Sequence, residues 1–268
     1  MKIINYEITK PEPFNLAETL NCGQCFRFEE HPDGMFFGVV KNKQVCVQEK
    51  GDKLIFYKTS KEEYDNFLCD YFDLNRDYNA INNSIVGNEL LTKIIESEKG
   101  IRILKQEPFE ALISFIISAN NNIPRIKAIV NRLCENFGEK IDGGYAFPTA
   151  EVLATKTPED LSVLRAGFRA KYIIDASKKV ASGEVVLEEI YDMPLDEARE
   201  KLKTILGVGD KVADCTLLFG FNKLDAFPKD VWIKRAMEKY FKDGLPETTE
   251  KYMGIVQQYI FNYVRKNG

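Results

Sequence analysis

The sequence predicts an α+β fold, in which an N-terminal antiparallel β-sheet domain precedes a mostly α-helical domain. Between about Leu16 and Lys58, short runs of β-branched and aromatic residues are separated by turn residues, which is typical of hairpins. Beyond them, apolar residues recur at helical spacing through most of the chain. Several of these helical stretches also begin with residues that favour a helix N-terminus.

The strands are predicted in the segments "MFFGVV", "QVCVQEK" and "KLIFYK", which the turn segments "KNK" and "GD" separate. From "TSKEEYDNFLCDYF" onward the pattern is helical, with Ser60 as the predicted N-cap. One helix is expected to end in "ESEKG". We therefore place a domain boundary near residues 95–106, with a sheet domain at 1–100 and a helical domain at 101–268.

The helical domain carries its own start signals. Pro108 is predicted at the first position of one helix, and Thr157 with Asp160 forms a predicted capping box for another. The segment "PLDEAREKLKTIL" is amphipathic, with an apolar stripe of Leu195, Ala198, Leu202 and Ile205. The segments "DVWIKRAMEKYF" and "TEKYMGIVQQYIFNYV" are predicted as the last helices.

Composition indicates a globular intracellular protein. The 268 residues, 44% of them apolar, are enough for one large or two modest domains. No apolar run approaches the ~18 residues of a membrane span, and the first residues lack the apolar core of a signal peptide. The six cysteines are scattered, so we expect reduced thiols. The expected location is the cytoplasm and nucleoid of a prokaryote, or the nucleus of a eukaryote.

The charge distribution allows two interpretations. The net charge of −4 argues mildly against a polyanionic partner. However, residues 164–180 contain five basic residues and one acidic residue, and residues 119–133 contain three basic residues and none that are acidic. Such segments suit a phosphate backbone. They are also typical of solvated helix faces, and charge alone favours that second interpretation.

The segment "LGVGDKVADC", from Leu206 to Cys215, predicts two helices joined by a tight turn. Its glycines permit positive φ and a close approach of another backbone. The free amides at the start of the second helix would then form an anion site suited to phosphate. A plain helix–helix connection of an all-α domain is the alternative.

Three residues near this turn are candidates for chemistry. Lys211 lies at the start of the second helix, and a lysine becomes a nucleophile when desolvation or nearby positive dipoles favour loss of its proton. Asp230 follows nineteen residues later in "AFPKDVW" and is by itself best interpreted as a helix N-cap. Cys215 shares a helix face with Lys211, although a lone cysteine is usually a core residue.

These residues belong to a longer pattern. The segment "LGVGDKVADCTLLFGFNKLDAFPKDVW" resembles the helix–hairpin–helix and Gly/Pro–Asp signature of DNA base-excision glycosylases, and within that superfamily it resembles the 8-oxoguanine DNA glycosylases. The same group is matched, in the same order, by "NCGQCFRF", "EPFEALISFIISANNNIPRI", "AGFRAKYI" and "YMGIVQQYIF". The resemblance covers nearly the whole chain.

The resemblance implies a bifunctional enzyme that excises 8-oxoguanine, preferably opposite cytosine, and then cleaves the strand. Lys211 would attack C1′ of the damaged nucleoside and form a Schiff base, and β-elimination would follow through the imine. Asp230 would stabilise positive charge on the sugar. The flipped base would be bound by Gly23, Cys215, Gln257 and Phe261, with the Gly23 carbonyl accepting the N7 hydrogen.

The resemblance also assigns residues to the rest of the duplex. The cytosine left behind would be contacted by Asn120, Arg125 and Arg169, and Phe168 would be the apolar wedge beside the kink. Both arginines lie in the two basic segments. Phosphate would be held by Gly207, Gly209, Val212 and Trp232. At Trp232 other members of the family carry a histidine, so that contact would come from the indole N–H.

No cofactor and no metal are expected. The iron–sulfur relatives carry four cysteines after the catalytic region, whereas this chain has none beyond Cys215. "CGQC" has a metal-ligand spacing, but no second pair of ligands is evident, so Cys22 and Cys25 are expected to pack beside Gly23. The expected partner is double-stranded DNA containing 8-oxoguanine, with no membrane, and we expect a monomer.

Two other functions fit parts of the pattern. A related glycosylase for an alkylated or another oxidised base would share the hairpin but not the pocket residues. A non-catalytic helix–hairpin–helix DNA-binding module would need the glycines and basic residues, but not Lys211 together with Asp230. The joint presence of those two residues favours an enzyme.

Overall fold

Five antiparallel strands form the N-terminal sheet of the computed structural model, which describes residues 5–85 and 87–267. They are β1 (Tyr6–Thr9), β2 (Glu29–Glu30), β3 (Met35–Val40), β4 (Lys43–Lys50) and β5 (Lys53–Tyr57), in the spatial order β1-β5-β4-β3-β2. In the two long hairpins Phe37 pairs with Cys46, and Val47 pairs with Phe56. The strands join at "KNK" and "GD", so the sheet and both predicted turns are confirmed.

Residues 16–21 depart from the predicted sheet. They form helix α1 (Leu16–Asn21), because the Asn15 side chain caps it by accepting a hydrogen bond of 2.8 Å from the Glu18 backbone N–H. The expectation that hairpins begin near Leu16 is therefore wrong, and the sheet instead gains β1 from earlier in the chain. Helix α1 leads directly to the turn at Gly23.

A helical stretch connects the sheet to the second half of the chain. It comprises α2 (Lys61–Glu63), a π-helical turn (Tyr64–Leu68), α3 (Cys69–Tyr71), α4 (Tyr78–Ser84) and α5 (Glu89–Glu98). The predicted N-cap at Ser60 is confirmed. Its hydroxyl accepts from the Glu63 backbone N–H at 3.1 Å, and the Glu63 carboxylate accepts from the Ser60 N–H at 2.9 Å.

The second half of the chain is mostly helical, as predicted. Its α-helices are α6 (Pro108–Ser118), α7 (Ile123–Phe137), α8 (Ala150–Ala154), α9 (Arg169–Ala181), α10 (Leu187–Ile190), α11 (Leu195–Lys203), α12 (Asp210–Phe221), α13 (Val231–Tyr240) and α14 (Met253–Asn267). A small hairpin of β6 (Lys140–Ile141) and β7 (Gly144–Tyr145) follows α7.

The predicted start signals are present, with one difference in helix type. Pro108 is the first residue of α6. Thr157 and Asp160 form the capping box: the Asp160 backbone N–H donates to the Thr157 hydroxyl at 3.2 Å, and the Thr157 backbone N–H donates to Asp160 Oδ2 at 2.8 Å. The segment it opens is a 3-10 helix (Asp160–Leu164), and a second 3-10 helix (Glu247–Tyr252) precedes α14.

Two hydrophobic clusters stabilise the fold, and they meet near Gly23. The helical cluster includes Cys22, whereas the sheet cluster includes Cys25. Because residues 78–95 also pack in the helical cluster, the division into domains at residue 100 stays a prediction. Within residues 5–85 and 87–267, no helix is long and apolar enough to cross a membrane.

Candidate active site

Helices α11 and α12 are joined by a turn that α9 holds in place. Gly207 has a φ of +81°, and a Cβ built there would lie 2.4 Å from a ring carbon of Tyr172, so the position requires glycine. The Leu206 backbone N–H donates to Asp175 Oδ2 at 2.7 Å. Both partners lie on α9, which therefore sets the direction in which α12 begins.

Lys211 is the second residue of α12, and α6 holds its amine. Nζ donates to the Ser118 hydroxyl at 2.9 Å and lies 5.3 Å from the centre of the Phe115 ring. The Ser118 hydroxyl donates in turn to the Phe115 carbonyl at 2.7 Å. The amine is thus half-buried between a hydroxyl and an aromatic face, in contrast to a solvated surface lysine.

Asp230 is the N-cap of α13, as its residue type alone predicts. Its Oδ1 accepts a hydrogen bond of 2.8 Å from the Ile233 backbone N–H. The residue also lines the same cavity as Lys211. The cap therefore fixes a carboxylate at the wall of a cavity that contains an amine.

One small cavity of about 50 Å³ brings together the predicted catalytic and base-pocket residues. Its walls include Gly23, Lys211, Cys215, Asp230, Gln257 and Phe261. These residues come from the turn after α1, from α12, from the start of α13 and from α14. The structure thus assembles in one place all six residues that the sequence predicted for chemistry and base binding.

Gln257 is a polar group of this cavity that lacks a partner. Its side chain is buried, and Oε1 accepts no hydrogen bond from the residues that the structure describes. A buried acceptor without a donor costs about 1–3 kcal/mol. A ligand that presents an N–H group to Gln257 would remove this cost.

Cys215 contributes an uncharged thiol to the cavity. Burial raises its pKa to about 11, and the opposing effect of the nearby Lys211 ammonium is smaller. The thiol is therefore protonated at neutral pH and presents a polarisable surface without negative charge. Cys22 and Cys25, which flank Gly23, are buried as predicted, and burial raises the pKa of each thiol.

A wider groove of about 820 Å³ adjoins the cavity and shares with it Gly23, Lys211, Asp230 and Phe261. Four further predicted residues line this groove: Asn120, Arg125, Val212 and Trp232. Lys229 and Lys234 line it as well and add positive charge that lies outside both basic segments. The groove is thus a basic surface that leads to the cavity.

Arg169 and Phe168 are not among the residues that line the groove. Phe168 is 51% exposed at the start of α9, and its ring centre lies 4.5 Å from the Arg169 guanidinium. Arg169 itself is buried and donates to the carbonyls of Ala119, Asn120 and Ala166. In this structure it supports the turn that carries Asn120, and its contact with an opposite base stays a prediction.

Only some of the residues predicted to bind phosphate line the groove. Gly207 and Gly209 lie outside the groove lining, although a Cβ on Gly209 would meet nothing within 4 Å, so its backbone is open to approach. No side chain caps the start of α12, which leaves its first amides available. The Asp210 carboxylate beside them is paired with Lys203 at 2.9 Å.

Charge counts from the sequence overstate the free positive charge. Lys127 donates to the Phe28 carbonyl at 2.7 Å, and Arg132 donates to the Leu164 carbonyl at 2.7 and 3.0 Å. With Arg169 and with Lys179, which donates to the Thr204 carbonyl at 2.7 Å, four basic residues of the two segments are engaged by backbone carbonyls. These two arginines and two lysines therefore stabilise the fold, while Arg125 lines the groove.

The residues that support the site are not among those predicted from the sequence. Ser118 bonds Lys211 across 93 positions of sequence, and α6 shows only the apolar pattern of a buried helix. Gln258 donates to the Cys22 carbonyl across 236 positions. The sequence shows a second glutamine, Gln258, directly after Gln257, but its hydrogen-bond partner depends on the fold.

Two family models match the chain. The "8-oxoguanine DNA glycosylase, N-terminal domain" model matches residues 6–112, and the "HhH-GPD superfamily base excision DNA repair protein" model matches residues 113–259.

Proteins similar to this chain come from several organisms. It is 34% identical over 276 residues to the N-glycosylase/DNA lyase of Saccharomyces cerevisiae, covering 90% of this chain and 73% of the yeast protein. It is 33% identical over 245 residues to the probable N-glycosylase/DNA lyase of Methanothermobacter thermautotrophicus, covering 79% of this chain and 77% of the archaeal protein. It is also similar to the crystal structure of Clostridium acetobutylicum 8-oxoguanine glycosylase/lyase in complex with double-stranded DNA containing cytosine opposite 8-oxoguanine. That similarity has a TM-score of 0.91 and 39% identity, over 99% of this chain and 98% of that chain.

The matched models together extend from residue 6 to residue 259. The N-terminal sheet and the helix–turn–helix with Lys211 lie within the matched ranges. The chain belongs to the HhH-GPD superfamily of base-excision DNA repair proteins, and within it to the 8-oxoguanine glycosylase family of N-glycosylase/DNA lyases.

Proposed function

We propose that the protein is a bifunctional DNA glycosylase and apurinic/apyrimidinic lyase that excises 8-oxoguanine from duplex DNA. The observation that carries the proposal is the cavity in which the amine of Lys211, the carboxylate of Asp230 and the unpaired amide oxygen of Gln257 meet. Membership of the N-glycosylase/DNA lyase family supports the same activity. The protein acts where DNA is, in the nucleoid of a prokaryote or the nucleus of a eukaryote.

The reaction begins when the damaged nucleotide leaves the stack and its base enters the cavity. After loss of its ammonium proton, the amine of Lys211 attacks C1′, the bond from C1′ to N9 breaks, and the base leaves with that electron pair and takes up the proton that the newly bonded nitrogen releases. Asp230 stabilises the positive charge that develops on the sugar while this bond breaks. The cap that orients Asp230 keeps this carboxylate in place without reorganisation.

Strand cleavage follows from the amine. The C1′ adduct opens the sugar ring to a protonated Schiff base, loss of a C2′ proton then expels the 3′ phosphate, and hydrolysis of the imine frees Lys211. An activated water forms no imine, so the lysine nucleophile accounts for the lyase activity.

Base selection uses the remaining walls of the cavity. The Gly23 carbonyl accepts the N7 hydrogen that 8-oxoguanine has and guanine lacks, and Gln257 binds the Watson–Crick edge. Phe261 and the uncharged Cys215 thiol cover the two faces of the ring.

The opposite strand is bound in the groove. Asn120 and Arg125 contact the unpaired cytosine, whose O2 and N3 are acceptors that suit donor side chains. Phe168 fills the space at the kink, and Arg169 joins the cytosine contact once DNA is bound. Phosphates are held at the start of α12 by the backbone amides near Gly209.

Borohydride reduction tests the proposed function. On a duplex with 8-oxoguanine opposite cytosine, we expect a reduced covalent adduct with the protein and none with Lys211→Gln, which should still bind DNA. Undiminished adduct formation by Lys211→Gln contradicts the assignment. A panel of single-lesion duplexes separates the alternatives, because a glycosylase for another base prefers another lesion and a binding module excises none.

A further inference from the structure

The turn that carries Gly23 is held by side chains from distant parts of the chain. Three of four successive backbone carbonyls accept a hydrogen bond: Asn21 from Arg265 Nη2 at 2.8 Å, Cys22 from Gln258 Nε2 at 2.9 Å, and Gln24 from Gln106 Nε2 at 2.7 Å. The carbonyl of Gly23 accepts none from the described part of the chain. Gly23 is also the one of these four residues that lines the cavity.

The Gln24 side chain fixes the turn on its C-terminal side. It is fully buried, and its Nε2 donates to the Thr19 and Arg102 carbonyls, both at 2.8 Å. Its Oε1 accepts from the Leu104 backbone N–H at 2.9 Å. Both the side chain and the carbonyl of Gln24 are therefore anchored, while the preceding peptide bond is held only by a weak hydrogen bond from the Gln24 backbone N–H to the Cys22 thiol.

This weakly anchored peptide, Gly23–Gln24, can present either of two groups to the cavity. A peptide unit is planar, so its carbonyl and its N–H point in opposite directions. Gly23 has a φ of +85° and the conformational range of glycine, so the peptide can rotate at this residue. A half-turn would replace the carbonyl acceptor with the N–H donor of Gln24. Such a rotation also displaces the neighbouring peptides, and their hydrogen bonds to Gln258 and Gln106 oppose it.

The choice between acceptor and donor corresponds to the choice between two bases. The N7 of guanine is an acceptor, whereas the N7 of 8-oxoguanine carries a hydrogen. A carbonyl therefore pairs with oxidised guanine, and an N–H pairs with ordinary guanine.

We propose that Gln258 and Gln106 are specificity-determining positioning residues, which hold the Gly23 turn so that an acceptor and not a donor faces the base. This inference rests on the proposed function, since it assumes that a flipped purine enters the cavity. Gln106 does not line the cavity, and Gln258, which does, directs its amide N–H to the Cys22 carbonyl, so each acts through the carbonyl that it holds on one side of the Gly23–Gln24 peptide.

The test removes each donor separately. Gln258→Met and Gln106→Met keep an unbranched side chain of similar length without the amide. Gln48→Met is the matched control, because Gln48 is a buried glutamine on β4 that donates to the Asp33 carbonyl at 2.6 Å and to none of the four carbonyls of the turn. Thermal unfolding shows which variants fold.

All variants carry Lys211→Gln, so that the lesion stays intact while binding is measured. Dissociation constants are compared for three duplexes that differ in one base: 8-oxoguanine, guanine and 8-oxo-7-deazaguanine. The last keeps the oxygen on C8 but has no hydrogen on a nitrogen at position 7. For each protein, the dissociation constant for the guanine duplex and that for the deaza-analogue duplex are each divided by the constant for the 8-oxoguanine duplex. These two selectivity ratios are then compared between the variants.

We expect the parent protein to bind 8-oxoguanine more tightly than either comparison base, by about tenfold for the loss of one buried hydrogen bond. Gln258→Met and Gln106→Met should each reduce both ratios by roughly tenfold, while Gln48→Met lowers the unfolding temperature and leaves the ratios unchanged. Gln258 and Gln106 variants that keep the parent ratios, or that lose affinity equally for all three duplexes, overturn the proposal.

A parent protein that binds all three duplexes equally overturns the proposed function instead. Gln258 lies in α14 and Gln106 in the segment between α5 and α6, so a variant that fails to fold leaves the other to decide. Gln258→Asn provides a milder change than Gln258→Met, because it withdraws the donor by one methylene and retains a polar side chain.

Discussion

Lys211 Nζ lies 2.9 Å from the Ser118 hydroxyl, and that hydroxyl donates its own proton to the Phe115 carbonyl at 2.7 Å. Since a hydroxyl has a single proton, Ser118 acts only as an acceptor towards the amine. One N–H of Lys211 is therefore directed to α6. This arrangement limits the rotamers of the nucleophile before any DNA is bound.

Ser118→Ala should slow covalent chemistry while leaving DNA binding intact. Without the acceptor, the amine samples more orientations, and we expect the rate of borohydride trapping in a single turnover to fall by roughly tenfold or more. The dissociation constant for the lesion duplex should stay within about twofold of the parent value. Ser114→Ala, at a buried serine one turn earlier in α6, is the matched control. Equal trapping rates in the two variants would show that Ser118 has no role in positioning.

Asp230→Asn should separate the helix-capping role of Asp230 from its role in base excision. Asparagine caps a helix about as well as aspartate, so the thermal stability should be nearly unchanged. The lost negative charge should reduce base excision by about a hundredfold. Asp77→Asn makes the same change at the cap of α4, where Asp77 accepts from the Ala80 backbone N–H, and should leave excision unaltered. If Asp230→Asn retains full turnover, Asp230 is a structural cap alone.

Arg125 and Arg169 should give different phenotypes. Arg125→Ala removes a groove residue, and the preference for cytosine over adenine, guanine and thymine opposite the lesion should shrink by roughly tenfold. Excision rates opposite the four bases measure this preference. If Arg125→Ala weakens excision equally for all four, the residue contacts only the backbone.

Arg169→Ala should primarily destabilise the protein. The carbonyls of Ala119, Asn120 and Ala166 lose a donor in this variant, so the free energy of unfolding should fall by about 1–3 kcal/mol. Urea unfolding measures this loss. Unchanged stability would mean that the contacts of Arg169 with the Asn120 turn contribute little.

Alkaline pH should destabilise the fold through its buried thiols. Burial raises the pKa of Cys215 to about 11 and that of Cys134 to about 12, from an ordinary value of 9.0. Between pH 9 and 11 these thiols ionise in the unfolded chain but remain protonated in the folded protein, so stability falls as pH rises through this window. Urea midpoints between pH 8 and pH 11 would show the decline, and Cys215→Ala should make it shallower. An identical slope in Cys215→Ala would contradict the buried, neutral state of this thiol.

Local features were predictable because local chemistry determines them. The turn with Gly207, the cap at Ser60 and the first position of α6 at Pro108 each depend on a few neighbouring residues. The strands from Met35 to Tyr57 were also identified from their patterns. Residues 16–21 form a helix in place of the predicted sheet because the Asn15 side chain caps them.

Contacts across the fold were not predictable in the same way. Arg169 appeared to be free positive charge, yet it is buried against carbonyls nearly fifty residues away in sequence. The bond from Gln106 to the Gly23 turn likewise joins residues 82 positions apart. The set of cavity residues was predictable only because the resemblance supplied it, since spacing alone connects neither Gly23 nor Gln257 to Lys211.

The hydrogen bond from Gln258 to the Cys22 carbonyl also bears on the order in which the site forms during biosynthesis. It joins residues 236 positions apart, and Gln257 and Phe261 stand on the same late helix. At a synthesis rate of about 5–20 residues per second, a growing chain has released Lys211 for several seconds before this helix leaves the ribosome. During that interval the nascent chain already contains Lys211, but the cavity that selects the base is still incomplete. Selectivity is therefore acquired later in biosynthesis than the nucleophile on which it acts.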